Sequence, residues 1–111
     1  MGFRFSEDYG RLLENAVFLE IKRKSKEIFY FQEKNECDFV IREGIKVKTA
    51  IQVCYELNLD NKEREIKGLI EALDYFKLKK GIIITSDQEE EIKEGDKKIR
   101  VIPFWKWALD N

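Results

Sequence analysis

From Tyr9 onward, apolar residues recur at Leu12, Leu13, Ala16, Val17, Leu19 and Ile21, the spacing of an amphipathic helix. Ser6 followed by Glu7 and Asp8 marks its start, and the pattern fades near Ser25. Residues 28–31 are aromatic and β-prone and predict a strand. After a turn at Lys34-Asn35, Cys37, Phe39 and Ile41 alternate with Asp38, Val40 and Arg42, a strand pattern of period two. Glu43-Gly44 makes the next turn, and residues 45–57 contain a third strand. Residues 58–61 form a loop able to cap a helix on which Ile66, Leu69, Ile70, Leu73 and Phe76 fall at helical spacing. Gly81 ends that region, and residues 81–85 form a continuous apolar run that suits a strand covered on both faces. Residues 88–98 are strongly charged, with Glu94-Gly95-Asp96 as a hairpin turn. Residues 99–102 predict a last strand, and Pro103 opens a short terminal helix at a position proline tolerates.

The predicted order is α-β-β-β-α-β-β-α. Three strands, a crossover helix and a buried strand predict a mixed α/β sheet flanked by helices. The length of 111 residues implies one domain over 1–111, with no repeat, linker or low-complexity segment.

Composition narrows the chemistry. Charged residues make up 39% of the chain, yet the net charge is only −1, so the whole molecule does not grip nucleic acid by charge. Abundant Lys and Glu with no histidine suits a protein of hot environments. Lys22, Arg23, Lys24 and Lys26 form one basic cluster, read either as the solvated end of a helix or as a phosphate contact. Two cysteines make no disulfide framework, and the chain shows no signal peptide and no membrane-length apolar run. A soluble, cytoplasmic protein is expected. Without histidine, any metal would be held by carboxylates, which selects Mg²⁺, Mn²⁺ or Ca²⁺.

Strand parity then gathers candidates. Ile51, Val53, Tyr55 and Leu57 share one face of the third strand, and Gln52, Cys54 and Glu56 share the other. Asp38 would face the Gln52 side if the second and third strands pair as a meander. The same parity puts Cys37 and Cys54 on opposite faces, as separate buried thiols. On the first helix, Val17, Phe18 and Ile21 lie three, four and seven residues beyond Glu14. Glu14 therefore continues an apolar stripe, where a carboxylate must be paired, hydrogen-bonded or metal-bound, or else lies at the stripe's exposed edge.

Three segments carry a resemblance: Tyr9-Gly10-Arg11-Leu12-Leu13-Glu14-Asn15, Glu36-Cys37-Asp38-Phe39-Val40 and Ile51-Gln52-Val53-Cys54-Tyr55. With Arg64-Glu65, residues 81–85 and residues 101–107, they resemble the PD-(D/E)XK nuclease superfamily. More closely, they resemble the C-terminal domain of archaeal AAA-type ATPases of largely unassigned role. The resemblance implies a restriction-endonuclease-like α-β-β-β-α-β core. It also implies Mg²⁺ or Mn²⁺ on Glu14, Asp38 and the position of Gln52, a catalytic lysine at the position of Cys54, a nucleic-acid substrate and an attached ATPase domain. Divalent metals suit phosphodiester hydrolysis because they stabilise charge on the phosphorus and leaving-group oxygens.

Two positions depart from that pattern. Gln52 offers a metal no charge, and Cys54 supplies no cation. Lys48 has the right parity but lies six residues, roughly 20 Å, along a strand. Lys67 on the second helix is the better replacement, with Arg64 next, although a solvated helix lysine is the commoner state. Glu56, about 7 Å beyond Cys54 on the same face, is a candidate for the lost acid or an exposed strand end. The expectation is a nuclease-like domain with a degenerate site, or alternatively a non-catalytic binding or regulatory module. Phe104, Trp105 and Trp107 could stack on bases, but are expected rather to close the core or to form an interface with another domain or subunit, with homo-oligomerisation one form of this.

Overall fold

The apolar stripe of the N-terminal segment becomes α1 (Gly2–Arg23) in the computed structural model, which describes residues 2–24 and 27–110. The helix is already formed four residues before Ser6, so the Ser-Glu-Asp signal does not start it. Its last turn carries Lys22 and Arg23, and Arg23 and Lys24 both pair with Glu20, at 2.7 and 3.6 Å. The helix-end account of the basic cluster fits these pairs. Ser25 and Lys26 lie outside the described residues.

Strands β1 (Glu27–Gln32), β2 (Glu36–Glu43) and β3 (Lys46–Val53) follow as an antiparallel meander. Helix α2 (Lys62–Tyr75) crosses over to β4 (Lys80–Thr85), which lies parallel to β3. A hairpin of β5 (Glu90–Glu94) and β6 (Lys97–Pro103) then adds β6 parallel to β4, and α3 (Phe104–Asp110) closes the described chain. The sheet order is β1-β2-β3-β4-β6-β5. The mixed α/β sheet flanked by helices is as the pattern predicts, with one strand more. β5 has the sequence Glu-Glu-Ile-Lys-Glu, whose single apolar residue gives period two almost nothing to register. The β2–β3 and β5–β6 loops have two residues each, and Gly44 and Gly95 open them at φ of 65° and 61°, as this class of hairpin turn requires.

The two faces of the sheet are covered differently. On one, Leu69, Ala72 and Leu73 of α2 pack against Cys37, Val40, Ala50, Ile83, Ile99 and Val101. On the other, Val17 and Ile21 of α1 and Trp107 of α3 pack against Phe39, Ile51, Ile84 and Ile102. Val17 and Ile21 are 0% and 2% exposed, and burying each contributes about 1.5–3 kcal/mol. Trp107 closes the core as expected, whereas Trp105 stays 59% exposed.

Several local expectations are corrected. Cys37 lies in the α2-side core and Cys54 packs against that same core, so the thiols are not on opposite faces; both are free. The reason is a break in β2, where Cys37 and Phe39 face different cores although they are two residues apart. β3 ends at Val53, so Leu57 leaves the Ile51 face and joins the α2 side. α2 ends well before Gly81, at a turn where Lys77 takes φ of 59° and Leu78 N–H reaches the Leu73 carbonyl at 2.8 Å. Pro103 is the last residue of β6, and α3 opens at Phe104. Among the described residues, no helix is long and apolar enough to cross a membrane.

Candidate functional site

The break in β2 positions the site. At Asp38 the ladder to β3 is made by side chains. Asp38 N–H donates to Gln52 Oε1 at 2.9 Å, and Val53 N–H donates to Asp38 Oδ2 at 2.8 Å. The other end of the Gln52 amide spans strand and helix: Nε2 donates to the Glu36 carbonyl at 2.9 Å and to the Glu65 carbonyl at 3.1 Å. Gln52 is 3% exposed. Glycine at position 68 makes this spacing possible, because a Cβ there would lie 2.1 Å from the Glu36 carbonyl oxygen and 2.6 Å from Gln52 Nε2.

Above this floor is a cleft of about 360 Å³, lined by Gln32, Lys34, Asn35, Glu36, Asp38, Gln52, Arg64 and Glu65. Its rim is fixed by Glu71 of α2, whose carboxylate accepts from Asn35 N–H and from Asn35 Nδ2, at 3.0 and 3.1 Å. Those bonds, the backbone one above all, hold the Glu71 carboxyl below its usual range.

The carboxyls facing the cleft behave oppositely to Glu71. Burial pushes Asp38 up to about 7, against the Val53 hydrogen bond, and the charges of Glu14, Glu65 and Glu36 push in the same direction. Glu65 is also raised, first by burial and in part by Glu14, while Arg64 opposes the shift. Glu14, Asp38 and Glu65 therefore share one electrostatic neighbourhood. Glu14 is half-buried and borders an adjoining hollow of about 240 Å³ with Arg11, Asn15, Phe18, Tyr30 and Phe39.

The other predicted residues divide. Gln52 is central, but as a brace between backbones. Cys54 is close enough for Glu65 and Asp38 to raise its thiol, after burial, to about 11, and its Sγ contacts the Glu56 carbonyl at 3.3 Å. It is a neutral thiol at neutral pH. Lys67 does not line the cleft: it borders a separate hollow with Glu71 and Asp74 and pairs with Glu63 at 3.0 Å. The helix turns it away, because Lys67 lies two residues from Glu65 and such residues do not share a helix face. Lys48 and Glu56 are exposed. Arg64 does line the cleft, contacting Glu65 at 3.5 Å.

Glu65 and Gly68 are the residues that sequence reasoning missed. Leu69 and Ala72, four and seven residues beyond Glu65, are both fully buried, so the stripe test that selected Glu14 would also select Glu65. Gly68 interrupts a strongly helical pattern, which signals a packing requirement.

As a metal set, Glu14, Asp38 and Gln52 do not fit. The Gln52 amide is committed at both ends to backbone partners. Among the described residues, no three Asp, Glu, Cys or His side chains are gathered into a metal-holding group. The acids that do share a neighbourhood are Glu14, Asp38 and Glu65.

The site thus belongs to an α/β domain that sets buried carboxyls against a braced strand pair. The model of a family described as a domain of unknown function, DUF4143, matches residues 9–107, and the chain belongs to that family. The chain is also similar to the uncharacterized protein MJ1544 of Methanocaldococcus jannaschii, 47% identical over 119 aligned residues that cover 95% of this chain and 26% of that protein. It spans about a quarter of the relative's length.

Proposed function

We propose that this domain is a nuclease-like scaffold used as a non-catalytic binding or regulatory module within a larger, ATPase-containing protein. The observation that carries this reading is the state of Gln52. The position expected to supply an acid holds an amide whose two ends brace Asp38, Glu36 and Glu65. The loss of the motif lysine supports the same reading. Cys54 stands at the lysine position, and Lys67 is committed to Glu63 outside the cleft. The cations that line the cleft instead are Lys34 and Arg64, the latter held to Glu65 at 3.5 Å. The limited share of the Methanocaldococcus relative that the chain spans supports a role as one part of a longer protein.

A second reading rests on Asp38 and Glu65. Both carboxyls are raised by burial and both feel Glu14, a state that a divalent cation would relieve. In this reading Glu65, not Gln52, would join Glu14 and Asp38 around Mg²⁺ or Mn²⁺. The three side chains, which the structure does not gather into a metal-holding group, would have to close in on the ion. When bound, the ion would stabilise charge on a phosphodiester.

One pair of measurements separates the two. The chain and Asp38→Ala are each incubated with single- and double-stranded DNA and RNA in Mn²⁺, and each is titrated with Mn²⁺ by calorimetry. The module reading expects no cleavage above the Asp38→Ala background and no binding that depends on Asp38. Mn²⁺-dependent cleavage that disappears in Asp38→Ala overturns it.

A further inference from the structure

The sheet has two open edges, and they are built differently. β5 exposes Glu90, Glu91, Lys93 and Glu94, and charge on an edge strand deters pairing with another chain. β1 carries Ile28, Phe29, Tyr30 and Phe31 at its centre, with Phe29 41% and Tyr30 77% exposed. Beside it, Tyr75 at the end of α2 is 62% exposed and packs on Phe31, with ring centroids 5.1 Å apart. Phe76 adds an edge-on contact to Phe31 at 5.6 Å. These rings line a groove of about 420 Å³ along the edge. The bulge between Phe29 and Phe31 lies on β2, where Asp38 and Phe39 together oppose Tyr30, and the twist it puts into the pair turns the edge away from simple strand addition.

The groove has one acid and one base on its walls, Glu33 and Arg42. They mark opposite ends of β1. Glu33 follows Gln32, the last residue of the strand, and Arg42 sits in register with Glu27, the first. We infer that this aromatic edge is the docking surface for a second copy of the chain, related by a two-fold axis with the β1 strands antiparallel. A two-fold contact is self-complementary. This one sets Glu33 of each copy against Arg42 of the other and stacks the two sets of exposed rings between them. Arg42 has capacity for this. It bonds Glu27 through Nε and one terminal nitrogen, at 3.3 and 2.9 Å, and lies 4.8 Å from the Phe29 ring centre, while a guanidinium carries five donors. The contact is made by side chains and does not depend on whether the cleft is catalytic.

The test is sedimentation of the chain over a wide concentration range reaching about 1 mM, with circular dichroism of every variant. The wild type is expected to pass from monomer to dimer. Tyr30→Glu and Arg42→Glu are each expected to weaken the dimer at least about tenfold, the scale of an interface hot spot. Glu33→Arg combined with Arg42→Glu is expected to restore it. If Tyr30→Glu does not fold, the charge reversal and its rescue decide. A wild type that stays monomeric at the top of the range overturns the proposal and leaves the face to another part of a longer protein. A dimer that ignores both Tyr30→Glu and Arg42→Glu overturns it as well.

Discussion

The floor and the wall of the central cleft are a residue or a helical turn apart, yet they are held in opposite ways. On the floor, the Gln52 amide is buried and its carbonyl and amino ends both have backbone partners. Gly68 leaves no space for even a methyl group beside it. On the wall, Asp38 and Glu65 are carboxyls that burial and their acidic neighbours push toward the neutral form. Satisfied polar groups in tight packing mark a structural role. Carboxyls raised by burial and by their acidic neighbours are costly to keep ionised. One cleft therefore combines a structural brace with a group of acids that is costly to keep.

The largest expected effect is on the floor. Gly68→Ala places a methyl carbon 2.1 Å from the Glu36 carbonyl oxygen, so backbone must move. Destabilisation of about 3 kcal/mol is expected, the upper end for overpacking. It would be read as a lower urea midpoint at unchanged slope. A loss below about 0.5 kcal/mol, the range of ordinary surface substitutions, would show that α2 is free to shift at this point.

Gln52→Glu comes next. It restores the acid that the resemblance calls for, but removes the donor shared by two buried carbonyls. The brace account expects a loss of about 2 kcal/mol, within the range for unsatisfied buried groups, and no gain in Mn²⁺ binding. Tighter Mn²⁺ binding with full stability would mean that position 52 is a ligand position after all.

A pH effect on the wall follows. Asp38 titrates near 7 in the fold and near 3.9 in the unfolded chain. Between those values the folded state binds the extra proton, so stability falls as pH rises from about 4 to about 7 and is low above that. Glu65, also raised, acts with the same sign. Asp38→Asn, which keeps an acceptor for Val53 N–H, is expected to flatten this slope and to be more stable than the wild type at pH 8. Thermal melts across the pH range read this directly. An unchanged slope in Asp38→Asn would remove Asp38 as its source.

The smallest effect is expected just outside the cleft. Lys67→Ala removes only an exposed pair with Glu63. Stability should stay within about 0.5 kcal/mol, and Mn²⁺ titrations should be unchanged. An altered Mn²⁺ affinity would bring Lys67 back into the site.

Much of this molecule was legible in the order of its residues. The helical stripe of α1, the three-strand meander, the crossover α2 and the apolar β4 all follow from hydrophobic period, because the water-avoiding face of each element is written in its own sequence. β5 was not legible. An edge strand that is nearly all charge is held by its ladder to β6, and ladders leave no periodic trace. Glu14 and Asp38 were legible as carboxyls in apolar settings. Glu65 was equally visible by the same test.

What only the tertiary structure decided is the work these residues do. Sequence showed glutamine at position 52, but not that its amide closes a three-way bond among β2, β3 and α2. That depends on the break in β2 at Asp38 and on the close approach at Gly68, contacts between segments far apart in the chain. Sequence likewise showed several lysines near the second helix, but not which way Lys67 points. The chain fixes which side chains must leave water. Only the packed fold fixes which of the polar ones meet when they do, because hydrogen bonds and charges act over a few ångströms of space and not along the sequence.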